Sequence, residues 1–402
     1  MNGRKYQFLI VGSGAGGATL ARELSRRGQE VLVVEKGKHE EKIGTFRDAL
    51  RYFDANPLTR MPAKSKEGVI LWRAFMAGGS TVVTAGNGTR CLEEELAAFG
   101  IVLDEEFAEA EREMGIAPIA EGLLSEGSER IRWAAGELGY RMELMPKFID
   151  PARCRRCGQC PLGCASSAKW TALDYLEEAR GYGADVIYGT MVEEVLQENG
   201  RVRGVRCVGP HGPVEFLADV VVLAAGGLGT PVILQRSGIE SAGEGLFVDL
   251  LVNTYGVTKG FNQAREPSMP LVDHEFHASK GFILSPHVNH HRMIRFMEAG
   301  ARGSALPTRR LIGIMTKIAD EPVGRVYPDG TVSKPVTERD RTRLQEGSAI
   351  AKEILVKAGA DGASIVVSKP QGAHPGGTAA VGRVVDGELQ TDVDGLFVCD
   401  GS

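Results

Sequence analysis

Apolar residues change their spacing twice near the start of the chain. Residues 6–11 form a short apolar run that ends in glycines, and apolar residues then recur at helical spacing over residues 18–24. Gly28 ends this helical pattern, and residues 30–34 form a second run that is rich in apolar residues. A run, a helix and a run within about 30 residues predict a β-α-β unit.

Later segments mix helical and strand patterns. Helical spacing recurs in four segments, at about 105–114, 126–138, 170–180 and 337–357. Thr337 and Asp340 have the spacing of a capping box, which predicts the start of the last and longest helix. Four short β-runs between residues 185 and 225 are separated by turn signals, which predict an antiparallel meander. Residues 240–335 are rich in strand patterns, with a hairpin signal at Asp329-Gly330, so an α/β fold with mixed inserted segments is predicted.

The composition is that of a folded globular protein. Apolar residues make up 43% of the 402 positions and charged residues 25%, which excludes a disordered or fibrous chain. Lys and Arg number 47 against 52 Asp and Glu, a net charge of −5, and no basic block is present. Nucleic acid is therefore not expected as a main partner. Glycine, at 52 residues, is in excess, which indicates many tight turns and close backbone approaches.

Neither a membrane span nor a targeting segment is visible in the sequence. The longest apolar run, residues 218–234, is interrupted by three glycines and Pro231, whereas a membrane helix needs about 20 apolar residues. Residues 1–5 lead directly into the first apolar run, without the apolar core and cleavage site of a signal peptide. The expected location is the cytoplasm.

The first glycine cluster, residues 12–17, has the pattern G-x-G-x-x-G and lies between the predicted strand and helix. In such a loop Gly12 permits the tight turn, Gly14 lets the backbone approach a pyrophosphate, and Gly17 lets the helix pack on the strand. Glu35 ends the second strand, where an acid accepts hydrogen bonds from a ribose hydroxyl. The placed acid favours a dinucleotide site over a glycine turn without a ligand, and it argues against a 2′-phosphate.

Three further groups of glycine-containing segments follow: residues 77–81 with 87–90, residues 220–231 with 237–239, and residues 374–378 with 396–402. Together with the first loop, these segments resemble the glucose-methanol-choline (GMC) family of flavin oxidoreductases, in the same order and over essentially the whole chain. The resemblance implies FAD rather than NAD, because an NAD-binding fold would not explain the last two groups. Gly227 departs from the family pattern, which has a small side chain there.

The fingerprint and the resemblance together assign the residues that contact FAD. They are Gly12, Gly14, Ala15, Gly16, Gly17, Glu35, Lys36, Gly78, Gly79, Ser80, Asn87, Gly88, Val192, Ala225, Gly226 and Asp400. The resemblance also implies two interleaved domains. A discontinuous Rossmann-like FAD-binding domain with a β-meander covers residues 1–100, 165–240 and 365–402. An α+β substrate domain with an antiparallel sheet covers residues 101–164 and 241–364.

The reaction that the resemblance implies is the oxidation of an alcohol. Hydride would pass from the carbinol carbon to flavin N5 while a base takes the hydroxyl proton. His374 aligns with the first active-site histidine of the family, and an imidazole suits that role near neutral pH. The alternative is that His374 only braces the turn beside the flavin. A second cluster, His287, His290 and His291, could line the substrate cavity but is expected to be structural.

Four cysteines lie within eleven residues and have arginines around them. They are Cys154, Cys157, Cys160 and Cys164. This spacing equals that of bacterial ferredoxins, and some GMC-type dehydrogenases look similar in this cysteine-rich insert, residues 150–168. A single [3Fe–4S] or [4Fe–4S] cluster is predicted, with zinc, unmetallated thiols or a disulfide as the alternatives. The other cysteines, Cys91, Cys207 and Cys399, are expected to be buried thiols.

The sequence thus predicts an FAD-dependent dehydrogenase that acts on a CH–OH group of a small-molecule alcohol. If a cluster is present, electrons would pass to a protein or quinone acceptor. Two alternatives stay open: a reductase or desaturase of C–C bonds with His374 as proton donor, and an electron-transfer subunit without its own substrate. Compared with the family, the chain is expected to be truncated after Ser402 or to take its second catalytic residue from elsewhere.

Overall fold

The computed structural model describes residues 4–56, 58, 61–299 and 306–402. The predicted β-α-β unit is present, with β1 at Lys5–Val11, α1 at Ala15–Arg26 and β2 at Val31–Val34. Strands and helices are numbered here in chain order. β1 and β2 pair in parallel, because α1 returns the chain to the edge at which β1 began.

The larger of the two main sheets contains β1, β2 and five further strands among the described residues. These are β7 (Asp185–Ile187), β8 (Met191–Glu198), β9 (Arg201–Gly209), β10 (Gly212–Leu223) and β20 (Leu396–Val398). The order is β7-β2-β1-β10-β9-β8, with β20 beside β10. The first half of β10 pairs antiparallel with β9, and its second half pairs in parallel with β1 and β20. Three of the four predicted β-runs form the meander, whereas β7 extends the parallel part beside β2.

Small residues allow two helices to pack closely on this sheet. α6 (Ala172–Gly181) begins at a capping box formed by Thr171 and Asp174, two residues later than the helical spacing predicts. It packs against α1 over the parallel strands, and the buried contact includes Ala18 and Ala179. α7 (Thr230–Arg236) packs against the meander at β8. The parallel strands β1, β2 and β10 end at the same edge of this sheet, and glycine-rich loops follow β1 and β10 there.

The second main sheet is mostly antiparallel and has six strands among the described residues. They are β3 (Ile70–Leu71), β12 (Leu250–Val257), β14 (Phe282–Pro286), β15 (Leu311–Ile318), β18 (Val366–Val367) and β19 (Gln371–Gly372). The order is β14-β15-β12-β19-β3, with β18 beside β12. α10 (Glu338–Lys357) covers one face, where Ile354 packs with Ile312 and Ile314. The capping box at Thr337 and Asp340 is present as predicted.

Shorter elements connect these two sheets. The helices are α2 (Phe46–Tyr52), α3 (Glu93–Ala97), α4 (Asp104–Met114), α5 (Glu126–Glu137), α8 (Glu275–Lys280) and α9 (His291–Met293). The strands are β4 (Ala117–Pro118), β5 (Glu143–Leu144), β6 (Pro146–Lys147), β11 (Glu244–Leu246), β13 (Leu271–Val272), β16 (Gly324–Val326) and β17 (Val332–Ser333). β16 and β17 form the hairpin predicted at Asp329-Gly330. The predicted α/β fold class is confirmed, and the domain boundaries stay a prediction.

Candidate active site

The loop of residues 12–17 joins β1 to α1 and leaves the amino end of the helix open. Gly12 has a φ of +102°, in the left-handed region that favours glycine. A Cβ on Gly17 would lie 2.0 Å from the carbonyl oxygen of Gly12, so glycine lets the helix start this close to the strand. A Cβ on Gly14 would meet no heavy atom within 4 Å, and Gly14 has no side chain to cap the helix. The first N–H groups of α1 therefore have no side-chain cap, which suits a phosphate group as their acceptor.

Glu35 follows β2 and ties this loop to the second glycine segment. Its Oε2 accepts hydrogen bonds from the backbone N–H of Ser13 at 2.9 Å and from Ser13 Oγ at 2.7 Å. Ser13 Oγ in turn accepts from the N–H of Gly78 at 3.2 Å. A Cβ on Gly79 would lie 2.9 Å from the Cα of Gly14. The first glycine loop, Glu35 and the second glycine segment are thus in direct contact.

The third glycine segment follows β10 and lies beside the end of β20. Ala225 and Gly226 are its first residues, and the Gly226 N–H donates to Asp400 Oδ2 at 2.7 Å. A Cβ on Gly227 would lie 2.0 Å from the carbonyl oxygen of Pro375. This close approach explains why glycine replaces the small side chain of the family pattern. The segment of residues 374–378 therefore packs directly against the third glycine segment.

Ala15 and Gly16 form the first turn of α1, and Ser80 lies in the segment that follows β3. A Cβ on Gly16 would lie 1.9 Å from the carbonyl oxygen of Cys399, so this turn also contacts the residue after β20. Ser80 Oγ accepts a hydrogen bond from the N–H of Ala74 at 3.1 Å. Gly79 and Cys399 thus lie against the amino end of α1, and the binding roles of the predicted residues stay predictions.

Two further residues that are predicted to contact FAD are Lys36 and Val192. Lys36 follows Glu35 directly, and the Lys36 ammonium lies 3.9 Å from the centre of the Phe75 ring. Burial lowers the pKa of Lys36 below its ordinary value. Val192 is buried in β8, two residues after Thr190, whose N–H donates to the carbonyl oxygen of Glu35 at 3.0 Å. Val192 is therefore close to this site along the chain.

His374 is held through one of its two ring nitrogens. His374 Nδ1 lies 2.8 Å from Asp249 Oδ2, and the same oxygen lies 2.6 Å from Lys317 Nζ. The imidazole is 60% exposed, whereas the side chains of Asp249 and Lys317 are 24% and 21% exposed. Because Nδ1 faces a carboxylate, we assign the proton of the neutral ring to Nδ1, which leaves Nε2 as the basic nitrogen.

The backbone at Asp249 is fixed in an unusual conformation. Its φ is +60°, in the left-handed region that is costly for a residue with a side chain. The buried Asp320 carboxylate accepts hydrogen bonds from the N–H groups on both sides of Asp249, at 3.1 and 3.0 Å. Burial raises the pKa of Asp249, but Lys317 and His374 outweigh this effect and lower the pKa overall. Asp249 is therefore held ionised beside His374.

No sequence motif marks Asp249 or Lys317 as a site residue. Each is the single charged residue in an apolar run, residues 246–252 and residues 311–318 respectively. Leu251 pairs with Lys317 across β12 and β15, which brings these two runs together. A lone charge in a predicted buried strand was the available signal, because such a charge needs a partner.

The four clustered cysteines line one cavity together with Lys169. All four are free thiols. Burial raises the pKa of Cys154 and Cys157. Burial acts in the same direction on Cys164, but hydrogen bonds from Ser166 and nearby backbone N–H groups lower its pKa overall. Within the described ranges, no group of three or more His, Cys, Asp or Glu side chains is placed to hold a metal ion.

Lys169 lies between this cavity and the second glycine segment. It is 4% exposed, and its ammonium donates to the carbonyl oxygens of Val82, Thr84 and Cys160 at 2.9, 2.6 and 3.2 Å. Burial lowers the pKa of Lys169 to about 8. One side chain thus connects the cysteine segment to the segment that follows Gly79.

A second buried lysine, Lys147, lies nearby. It is 1% exposed and donates to the carbonyl oxygens of Ala85 and Ser268 and to Asn87 Oδ1. Burial lowers the pKa of Lys147 to about 7. Asn87 was predicted to contact FAD, and in the structure its amide oxygen is bound to this ammonium. Gly88, also predicted, follows Asn87, and a Cβ on it would lie 2.7 Å from a side-chain carbon of Ile116.

The remaining cysteines and histidines differ in burial. Cys207 is buried as expected and Cys399 is half-buried, but the prediction for Cys91 is wrong, because it lies exposed in a connecting segment before α3. His287 is buried, which lowers its pKa to about 4. His290 stacks on Phe46 with ring centres 5.4 Å apart. These histidine contacts suit the expected structural role.

Comparison with known proteins identifies the family. A profile of the GMC oxidoreductase family matches residues 6–252. An uncharacterized protein of Methanocaldococcus jannaschii is 31% identical over 405 residues, which cover 99% of this chain and 93% of that protein. The chain therefore belongs to the GMC oxidoreductase family, as its motifs predicted, and it is an oxidoreductase.

Two further relatives extend this result. A long-chain-alcohol oxidase of Arabidopsis thaliana is 24% identical over 414 residues, covering 89% of this chain and 53% of that oxidase. The chain thus spans about half the length of that relative. The crystal structure of pyridoxine 4-oxidase from Mesorbium loti has the same fold, with a TM-score of 0.73 at 18% identity, over 99% of this chain and 94% of that one. Among the described residues, no helix is long and apolar enough to cross a membrane.

Proposed function

We propose that the chain is an FAD-dependent dehydrogenase that oxidises the CH–OH group of an alcohol to a carbonyl, with His374 as the base. The 2.8 Å contact between His374 Nδ1 and Asp249 carries this proposal, because it leaves Nε2 free to take a proton. The turn that contains His374 packs on Gly227, next to the segments predicted to contact FAD, which supports a role close to the cofactor.

The glycine segments suit FAD by their chemistry. The open amino end of α1 would hold the pyrophosphate through backbone N–H groups, and Glu35 would accept hydrogen bonds from the ribose hydroxyls. Gly78, Gly226 and Asp400 would border the rest of the cofactor. Bound FAD would supply the acceptor for the hydride that leaves the carbinol carbon.

The proton of the alcohol goes to His374. Its Nε2 accepts the hydroxyl proton as the carbinol hydrogen leaves as hydride, so one O–H and one C–H bond break and a C=O bond forms. Asp249 then stabilises the imidazolium through the Nδ1–H. Lys317 keeps Asp249 ionised, so Asp249 and Lys317 are positioning residues for the base.

Alcohol as the substrate class has support from a relative. The long-chain-alcohol oxidase of Arabidopsis thaliana aligns with 89% of this chain. The test is anaerobic mixing of the FAD-loaded protein with a panel of primary, secondary, long-chain and sugar alcohols. At least one alcohol should bleach the flavin. Bleaching by none of them, but by a nicotinamide or a reduced protein donor, would instead favour the C–C reductase or the electron-transfer subunit.

We propose in addition that Cys154, Cys157, Cys160 and Cys164 hold one iron–sulfur cluster, [3Fe–4S] or [4Fe–4S]. The support is the ferredoxin spacing together with the single cavity that the four thiols line. A cluster would supply one-electron transfer from reduced flavin to an external protein or quinone acceptor. Iron and acid-labile sulfide assays on anaerobically purified protein test this, and flavin without iron would contradict it.

The discontinuous FAD-binding domain is also part of the proposal. Strands β1, β10 and β20 come from its three ranges and are neighbours in one sheet, which supports the division. β3 and β19 come from the same ranges but pair in the second sheet, so the two proposed domains share strands.

The location that we propose for the protein is the cytoplasm. Cell fractionation tests this proposal.

A further inference from the structure

Two buried ammonium groups lack a carboxylate partner. Lys147 and Lys169 are 1% and 4% exposed, and each donates to three neutral oxygen atoms. In the part of the chain that the structure describes, neither nitrogen has an Asp or Glu oxygen within 4 Å. A buried charge without a counter-charge is costly, because neutral acceptors do not replace the full hydration of an ion.

A third buried lysine shows that this chain can pair such a charge. Lys334 is fully buried, and its ammonium lies 2.9 Å from a carboxylate oxygen of Asp320, which is buried as well. Lys147 and Lys169 have the same burial without such a partner. Glu266 is a carboxyl group near Lys147, but its own hydrogen-bond partners are Ser125 and Ser128.

The unpaired charges border the cysteine cavity. Lys169 lines it and contacts the carbonyl oxygen of Cys160. Lys147 contacts the carbonyl oxygen of Ser268, next to Pro267, which also lines the cavity. On their other side, the two ammonium groups bind the carbonyl oxygens of Thr84 and Ala85. Both positive charges therefore lie between the cavity and the segment that follows the predicted flavin loop.

We propose that Lys147 and Lys169 form a built-in counter-charge for an anionic, thiolate-bound iron–sulfur cluster in the cysteine cavity. The inference rests on the cluster of the proposed function and assigns it two further residues. An oxidised cluster with four thiolates carries about two negative charges, which two ammonium groups would balance. Because reduction adds one more negative charge, the same lysines would favour the reduced cluster and raise its reduction potential.

The test replaces each lysine by glutamine, which keeps an N–H donor for the carbonyl oxygens but removes the charge. Lys147→Gln and Lys169→Gln are compared with Arg155→Met, which removes an exposed charge from the same cavity. The full-length protein is purified anaerobically and loaded with FAD, iron and sulfide. Iron retention against a chelator and the cluster potential, followed by electron paramagnetic resonance, are then measured.

Both glutamine variants should hold iron about 10- to 100-fold less tightly than the wild type. Their cluster potential should shift to a more negative value, and Arg155→Met should stay close to the wild type because water screens its charge. Equal retention and equal potential in all four proteins would overturn the inference. If the glutamine variants do not fold, Lys147→Arg and Lys169→Arg should keep the wild-type potential, and a negative shift in them would count against a charge effect.

The outcome for the wild type separates this inference from the proposed reaction. Alcohol-dependent flavin bleaching in a protein that takes up no iron would overturn the inference and leave the reaction standing. If the protein binds a cluster but no alcohol bleaches its flavin, the proposed alcohol oxidation would be overturned and the counter-charge inference would stand. Tight iron binding in the wild type, with a more negative cluster potential in both Lys147→Gln and Lys169→Gln, would establish the counter-charge whether or not an alcohol bleaches the flavin.

Discussion

The surroundings of His374 and of the cysteine cavity differ in whether their buried charges are paired. Around His374 the charges are matched inside the chain, since Asp249 lies 2.8 Å from His374 Nδ1 and 2.6 Å from Lys317 Nζ. Around the cysteines, two ammonium groups are buried against neutral oxygens alone among the described residues. A site whose charges are matched can orient a proton acceptor without help. A site with surplus positive charge instead indicates an anion that the polypeptide does not provide.

The largest expected effect comes from breaking the matched site at its centre. Asp249→Asn should lower the rate of flavin reduction by alcohol by up to ~10⁴-fold, the cost of reversing a histidine tautomer in a serine protease triad. The amide can donate to Nδ1, which would move the ring proton to Nε2 and remove the base. Stopped-flow reduction of the FAD-loaded protein measures the rate. Asp249→Glu is the matched control and should retain more activity, and a wild-type rate in Asp249→Asn would exclude a positioning role.

The next effect compares a paired buried lysine with an unpaired one. Lys334→Met leaves the buried Asp320 carboxylate without its counter-charge and should lower the free energy of unfolding by about 3–5 kcal/mol. In metal-free protein, Lys169→Gln should lower the free energy of unfolding by at least about 2 kcal/mol less than Lys334→Met does, because it removes a charge that has no carboxylate partner among the described residues. Urea denaturation of both variants and the wild type measures the difference. Equal losses of unfolding free energy in the two variants would mean that the charge of Lys169 is compensated by groups within the chain.

The smallest expected effect concerns a carboxyl group close to the cysteine side. Burial raises the pKa of Glu266 to about 7, from an ordinary value of 4.5. Between these values the folded protein keeps a proton that the unfolded chain releases, so stability falls as pH rises through this window. Relative to Glu266→Gln, the wild type should lose about 3 kcal/mol between pH 4.5 and 7. Thermal unfolding across this range measures it, and parallel curves would show that Glu266 is ionised and available to Lys147.

The fold could be predicted where the signal is local. The β-α-β unit, the long helix with its capping box and the hairpin at Asp329-Gly330 each depend on residues that are close in sequence. The sequence pattern wrongly assigns β7 to the meander, because its partner, β2, is about 150 residues away and no turn signal indicates a parallel pairing. Residue type alone predicts a buried Cys91, but its segment forms neither helix nor strand and leaves the side chain exposed.

The candidate site could be predicted only in part for the same reason. His374 and the glycines stand in compact motifs, but Asp249 and Lys317 reach His374 through separate strands. Nothing in the sequence near Lys147 shows that its ammonium ends beside Asn87 and the cysteine segment. Residues that act by contact across the fold carry a weak sequence signal, here a lone charge in an apolar strand, and the structure is needed to join them.

The proposed role of His374 as the base that takes the alcohol proton can be tested by anaerobic flavin reduction with the best alcohol of the panel. The FAD-loaded wild type and His374→Ala are mixed with that alcohol under identical conditions, with flavin content measured in both. We expect flavin reduction in His374→Ala to be about 10²- to 10⁴-fold slower than in the wild type, the usual cost of losing a general base. Reduction of His374→Ala at the wild-type rate would contradict this role.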